Sequence, residues 1–213
     1  MMWKRGLSIA MLTLVLASGM FVGGKTGAAA APYPVPPAYY DQIAVELQEE
    51  DEELYEKLYD RRDSEMGAYF TVMFNSSEER IHNIKKAAKR IHNVTLEPGE
   101  SFSFNEVVGN SNIADDGWKP AGAYVNGQLV DSYGGGICQV SSTLYNAVLE
   151  AGLNVTEVHN HSKSVTYVPV GQDATVAYGY LDFQFVNPYD FPIKIKAKVY
   201  DDRYLLVRIV STD

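Results

Sequence analysis

The sequence contains a single cysteine, Cys138, among its 213 residues. One thiol cannot form an intramolecular disulfide, which excludes the disulfide-stapled domains common among small secreted proteins. Basic residues are also few, since 18 Lys and Arg stand against 27 Asp and Glu, for a net charge of −9. Nucleic acid and anionic membrane surfaces are therefore poor candidate partners. Internal repeats are absent as well, so we expect one folded domain with extensions.

Residues 1–30 have the features of an export signal. Lys4 and Arg5 precede an apolar run over residues 7–22, and small residues follow at 28–31. We predict a secretory signal peptide cleaved near Ala30, with a membrane tether through residues 7–22 as the alternative. In both cases the protein acts outside the cytoplasm, either secreted or at the outer face of the cytoplasmic membrane or cell wall. Removing residues 1–30 takes away three basic residues and no acid, which changes the charge from −9 to −12.

Two segments precede the domain that we predict over residues 66–213. Residues 31–39 form a Pro-rich spacer, which favours extended backbone. Residues 40–65 form an acidic amphipathic helix, whose apolar face is Ile43, Leu47, Leu54 and Leu58. This helix either packs on the domain, holds the domain away from the membrane, or binds a partner.

The domain begins with a strand at 66–74 and a helix that Ser76 and Glu79 open as a capping box. A polar segment at 93–133 follows, with loops, short strands and an Asn-Gly hairpin in "YVNGQLV". The clearest helix runs over 137–152, where one stripe is apolar: Ile137, Val140, Leu144, Val148 and Ala151. The segments after it, "TEVHNHSKSVTYV", "ATVAYGYLDFQFVN", "FPIKIKAKVY" and "RYLLVRIV", indicate strands, with a hairpin at "YDD". We predict an α+β fold in which an antiparallel sheet packs with one central helix carrying the cysteine at its N-terminus, plus N-terminal helices.

Cys138 follows three glycines and falls in the first turn of the predicted central helix. The free N–H groups and the dipole at a helix N-terminus stabilise a thiolate, so the pKa of this thiol is expected to be low. The glycines would let a substrate or another chain approach the backbone closely. The amides of Cys138 and Gln139 are candidate donors to an oxyanion. Together these features predict a cysteine nucleophile.

A cysteine nucleophile needs a base, and "HNHS" supplies His159 and His161. Two residues apart on a strand, both side chains would project from one face. Asp173 is the nearest downstream acceptor that could orient an imidazole. We favour His161 as the base, with His159 in support.

Other interpretations of the same residues stay open. Cys138 could be an inert buried thiol, since free cysteine often packs as a small hydrophobe. With His159, His161 and Asp173 it could instead ligate zinc. An intermolecular disulfide is a further alternative.

The stretch "GGGICQVSSTLYNAVLEAGL", followed by "HNHSKSVTYVPVGQDATV" and "LDFQFVN", resembles the VanW-like domain family. The resemblance covers roughly residues 67–200. It implies a cell-wall association, because some members resemble L,D-transpeptidases that use the cysteine of this motif, which corresponds to Cys138. Where the family pattern has an arginine before the first histidine, this chain has Val158, which bears on substrate choice.

We therefore expect an exported, peptidoglycan-modifying acyl transferase, an L,D-transpeptidase forming cross-links through a Cys138 thioester. Its partners would be peptidoglycan stem peptides, and it would need no cofactor and no metal. A non-catalytic module that binds cell-wall peptides and a zinc-dependent hydrolase are the alternatives. Besides the catalytic set, substrate-binding or oxyanion roles are predicted for Gly135, Gly136, Gln139, Ser141 and Ser162. The sequence carries no sign of the oligomeric state.

Overall fold

The computed structural model of the chain describes residues 37–60, 64–125 and 128–212. Its helices are α1 Pro37–Glu50, α2 Glu52–Tyr59, α3 Glu78–Ile91, α4 Phe104–Val108 and α5 Ile137–Glu150. Its strands are β1 Glu65–Val72, β2 Thr95–Leu96, β3 Ser101–Ser103, β4 Pro120–Val125, β5 Gln128–Tyr133, β6 Asn154–Glu157, β7 Gln184–Val186, β8 Ile193–Tyr200 and β9 Tyr204–Ser211. The predicted signal or tether lies outside the described residues. None of the helices within them is long and apolar enough to cross a bilayer.

The strands form three antiparallel sheets, and helices pack beside them, which confirms the α+β prediction. The largest sheet has the order β1-β9-β8-β2, a second has the order β3-β7-β6, and β4 pairs with β5 alone. Both predicted hairpins form: Val125 pairs with Gln128, and Tyr200 pairs with Tyr204 across the "YDD" turn. Asp201 and Asp202 adopt positive φ in that turn.

The four-stranded sheet is buried on both faces, which explains why β9 is almost continuously apolar. On one face, Leu205, Val207 and Ile209 of β9 join the main core with α3 and α5. On the other face, Tyr204 and Leu206 contact the apolar side of α1 and α2. Alternation along the strand therefore divides two cores between the faces of one sheet.

The N-terminal amphipathic segment forms two helices rather than one. The break falls at Asp51, whose side chain caps α2 by accepting the N–H of Leu54 at 3.0 Å. The predicted apolar face is buried as a unit in the second core: Ile43, Leu47, Leu54 and Leu58. The last residues of the predicted spacer, 37–39, already belong to α1.

Three further expectations need correction. Ser77 rather than Ser76 caps α3, since its Oγ accepts the N–H of Arg80 at 3.3 Å. The short helix α4 stands within the segment expected to hold only loops and strands. Residues 158–175 form no strand after β6, because their polar groups bond within the loop, as where the Thr175 N–H donates to the carbonyl of His159 at 2.7 Å.

Candidate active site

Three glycines form the tight turn that leads from β5 into α5. Gly134 and Gly136 have φ angles of +72° and +109°, in the region that favours glycine. Gly135 packs on β4, where an added Cβ would lie 2.3 Å from the carbonyl oxygen of Ala121. Asn83 of α3 holds the turn by donating from Nδ2 to the carbonyl of Gly135 at 3.0 Å. The close approach expected at Gly135 is therefore made by β4 of the same chain.

Cys138 is the second residue of α5 and is partly buried. Its Sγ lies 3.6 Å from the carbonyl oxygen of Val176 and 3.8 Å from the hydroxyl of Thr175. The Gln139 N–H donates to the carbonyl of Gly136 at 3.0 Å, so it is not the free oxyanion donor that the sequence suggested. Within the described ranges, the Cys138 N–H has no hydrogen-bond acceptor and remains available.

His161 connects the thiol to a carboxylate. Its Nδ1 lies 2.7 Å from Oδ2 of Asp173, and the same oxygen accepts the His161 backbone N–H at 2.6 Å. Asn160 donates from Nδ2 to the other carboxylate oxygen at 3.1 Å. The imidazole and the Cys138 thiol line the same cavity and lie close enough for each to shift the pKa of the other. The structure thus brings Cys138, His161 and Asp173 into one connected series.

His159 lies apart from this series. Its Nε2 lies 2.9 Å from Oε1 of Glu157, and its side chain is 39% exposed. Glu157 is itself held by the N–H of Asp182 at 3.0 Å and by Nε2 of Gln184 at 2.9 Å. The expected common face for both histidines does not form, because β6 ends at Glu157 and the loop beyond it does not alternate.

The pKa shifts follow from these contacts. Burial raises the pKa of the Cys138 thiol, but the hydrogen bond and charge of His161 outweigh it, so that pKa is lowered. Burial lowers the pKa of His161, whereas Cys138 and Asp173 raise it by more. Burial also raises the pKa of Asp173, and the hydrogen bonds from His161 and Asn160 bring it below its usual value. All three directions favour a thiolate–imidazolium pair oriented by a carboxylate.

The other predicted site residues have different surroundings. Ser141 is fully buried and donates to the carbonyl of Ala174 at 2.6 Å, which ties α5 to the loop that carries Asp173. The Gln139 side chain is also buried, and its Nε2 donates to the carbonyl of Val72 at 3.1 Å. Ser162 is exposed and does not line the cavity described next. Val158, at the position where the resemblance implies an arginine, packs against the main core.

A cavity of about 790 Å³ is lined by both Cys138 and His161. Sequence reasoning missed two of its ionisable side chains, Arg80 of α3 and Tyr167 of the loop after β6. Burial raises the pKa of Tyr167, and the nearby Cys138 adds to the effect. No local signal distinguishes these residues, because Arg80 is one of several basic residues on an amphipathic helix.

The ligand set expected for zinc is not assembled. Among the described residues, no three His, Cys, Asp or Glu side chains are grouped so that they could hold a metal ion. The geometric reason is that His159 turns to Glu157 instead of joining His161 and Asp173.

Comparison with known proteins finds a family and two curated relatives. The family model described as VanW like protein matches residues 79–210. The uncharacterized protein YoaR of Bacillus subtilis (strain 168) is 46% identical over 149 residues, which cover 70% of this chain and 48% of that protein. The vancomycin B-type resistance protein VanW of Enterococcus faecalis (strain ATCC 700802 / V583) is 29% identical over 133 residues, covering 60% and 48% respectively. The chain thus spans about half the length of these relatives, and no solved structure matches it.

Proposed function

The chain belongs to the VanW-like protein family, and from this premise we propose that it is an exported acyl transferase that modifies peptidoglycan through a Cys138 thioester. The observation that carries the proposal is the series Cys138–His161–Asp173, two members of which line one cavity. A nucleophile, a base and a carboxylate that orients the base are the parts that thiol acyl transfer needs.

In the first step, the Cys138 thiolate attacks the carbonyl carbon of an amide in a stem peptide, at the L-centre of its diamino acid. The Cys138 N–H is the available donor for the oxyanion that develops. The carbon–nitrogen bond then breaks, and protonated His161 gives its proton to the departing amine of the terminal D-alanine. The product is a thioester on Cys138 and a free amino acid.

In the second step, an amine from a neighbouring stem peptide attacks the thioester. Neutral His161 takes the proton of this amine, and the Cys138 thiolate leaves as the new amide forms. The result is a peptide cross-link, so the reaction is an L,D-transpeptidation. If water replaces the amine, the same thioester yields a shortened stem peptide.

Two other features support this assignment. Residues 1–30 have the pattern of an export signal, and the mature charge of −12 suits cationic, amine-bearing material. One relative is named for vancomycin resistance, which is consistent with an activity at the cell wall. Of the alternatives, a binding module would use the same cavity without a reaction at Cys138.

The test is to incubate the purified protein with disaccharide tetrapeptides and to measure the masses of the intact protein and of the peptide products. We expect an adduct on the protein whose mass is that of the disaccharide tetrapeptide minus one D-alanine. We also expect cross-linked peptide dimers among the products. Both should be absent from Cys138→Ala, and Ser101→Ala serves as a control because Ser101 is exposed on β3 and does not line the cavity. Identical products from wild type and Cys138→Ala would refute the proposal and would favour the non-catalytic binding module.

A further inference from the structure

Arg80 is the third residue of α3 and reaches into the cavity that Cys138 and His161 line. Its Nη2 donates to Oε1 of Gln139 at 2.8 Å. Gln139 follows Cys138 in α5, so this bond places the guanidinium at the start of that helix. The stem of Arg80 lies against Gly136, where an added Cβ would be 3.0 Å from Cγ. Arg80 is therefore held in position before any ligand arrives.

The guanidinium has no carboxylate partner among the described residues. Other arginines of the same protein do: Arg90 pairs with Asp116, and Arg208 pairs with Glu65. Placing a cation away from water without a counter-charge costs free energy. Burial accordingly lowers the pKa of Arg80, against the charges of Tyr167 and Cys138. A fixed guanidinium that has no carboxylate partner among the described residues is suited to bind an anionic ligand.

The planar fork of an arginine side chain matches the two oxygens of a carboxylate. In the reaction proposed above, the free α-carboxylate of the C-terminal residue stands directly beside the amide nitrogen that leaves. Because Arg80 is anchored to the residue next to Cys138, a carboxylate bound to it lies close to the bond that breaks. We infer that Arg80 binds the terminal α-carboxylate of the donor peptide and so selects donors that end one residue after the cleaved bond; this inference rests on the proposed function.

The experiment compares two donor peptides that differ in one group. One tetrapeptide ends in a free carboxylate and the other ends in a carboxamide, and acylation of Cys138 is followed by intact-protein mass. Wild type should be acylated roughly 10- to 100-fold faster by the acid, which is the range expected for a hydrogen bond to a charged group. Arg80→Met should lose this preference, so that both peptides acylate it at about equal rates, no faster than the carboxamide acylates wild type. Arg80→Lys should keep part of the preference, because it keeps the charge.

A matched control is Lys85→Met, which removes a positive charge from the same helix at a residue that pairs with Asp202 outside the cavity. It should retain the wild-type preference. Alkylation of Cys138 as a function of pH separates two roles for Arg80. Because the charges of Arg80 and Cys138 interact, Arg80→Met should move this profile to higher pH and slow acylation by both peptides alike. Only a carboxylate-binding role makes the loss larger for the acid than for the amide.

Failure of this inference and failure of the proposed function are distinguishable. If wild type is acylated by neither peptide, the proposed function fails, and binding of the two peptides to Cys138→Ala by calorimetry still tests Arg80. Tighter binding of the acid, lost when Arg80→Met is added, would support the carboxylate site. The carboxylate-binding role of Arg80 is overturned if wild type does not discriminate between acid and amide. It is also overturned if Arg80→Met keeps the full preference. Should Arg80→Met fail to fold, Arg80→Gln gives the same comparison with a polar side chain.

Discussion

The substitution Asp173→Asn tests the connection between the carboxylate and the thiol. Oδ2 of Asp173 accepts two hydrogen bonds from His161, at 2.6 and 2.7 Å, and Oδ1 accepts one from Nδ2 of Asn160 at 3.1 Å. An asparagine has one acceptor oxygen, so its NH₂ group must face either His161 or the NH₂ of Asn160. Asn160 cannot simply turn its amide, because its Nδ2 also donates to the carbonyl of residue 173 at 3.0 Å.

Asp173→Asn should remove the free energy of one hydrogen bond to a charged group, about 1.5–3 kcal/mol. This corresponds to a thiolate population roughly 10- to 100-fold smaller. Without the carboxylate, the pKa of His161 falls, the imidazolium is less populated, and the pKa of Cys138 rises. At about pH 6.5 an ordinary thiol is only roughly 1% thiolate. Wild type should therefore be alkylated by iodoacetamide much faster than Asp173→Asn at this pH, with the two rates converging in alkaline solution.

Because Cys138 is the only cysteine in the chain, intact mass reports its modification without background. Asp131→Asn, at an exposed position of β5, is the matched control for removing one carboxylate and should behave as wild type. Thermal unfolding checks that Asp173→Asn is folded at the temperature of the assay. If Asp173→Asn and wild type give the same rate at every pH, Asp173 does not govern the thiol and the argument is wrong.

The remaining predictions concern the base, the turn, one ion pair and pH. His161→Ala should slow alkylation at about pH 6.5 as Asp173→Asn does, whereas His159→Ala should react as wild type; equal effects would contradict the geometry. Gly135→Ala forces a Cβ to 2.3 Å from a β4 carbonyl and should cost about 1–3 kcal/mol, lowering Tm by roughly 2–12 °C, and an unchanged Tm would refute the packing argument. Arg208→Met should lower the free energy of unfolding in urea by about 3–5 kcal/mol, because it breaks the buried ion pair between Arg208 and Glu65; a cost near zero would contradict this. Acylation should rise through the lowered pKa of Cys138 and fall through the raised pKa of His161, and a rate that stays constant across both would exclude the pair.

The same shifts fix how the site contributes to stability as pH changes. The pKa of His161 is raised, so its contribution is fully present below about 6.5, the value of a free imidazole, and is lost as pH rises through the raised value. The pKa values of Asp173 and Cys138 are lowered. Their contributions are fully present above the values of the free groups and are lost as pH falls through the lowered ones. The thiolate–imidazolium pair is therefore most populated between the lowered pKa of Cys138 and the raised pKa of His161.

Much of the fold could be predicted because its elements have strong local patterns. The apolar stripe of α5, the Asn-Gly hairpin and the long strands β8 and β9 are all visible in the periodicity of their side chains. Predictions were less accurate where polar side chains competed for backbone groups. Ser76 and Ser77 are both plausible caps, and Asp51 interrupts a helix whose apolar face continues unchanged across the break.

By itself the sequence determined the family, the α+β class, a lone cysteine at the start of a glycine-preceded helix, and a short set of candidate partners for it. These follow from composition, spacing and local periodicity, which act over a few residues. Only the tertiary structure decided that His161 and not His159 connects Cys138 to Asp173, and that Arg80 lies beside them in the cavity. These two arrangements depend on where β6 ends and on how α3 packs against α5. They could not be predicted from the sequence, because contacts between residues far apart in the chain produce no periodic pattern of side chains.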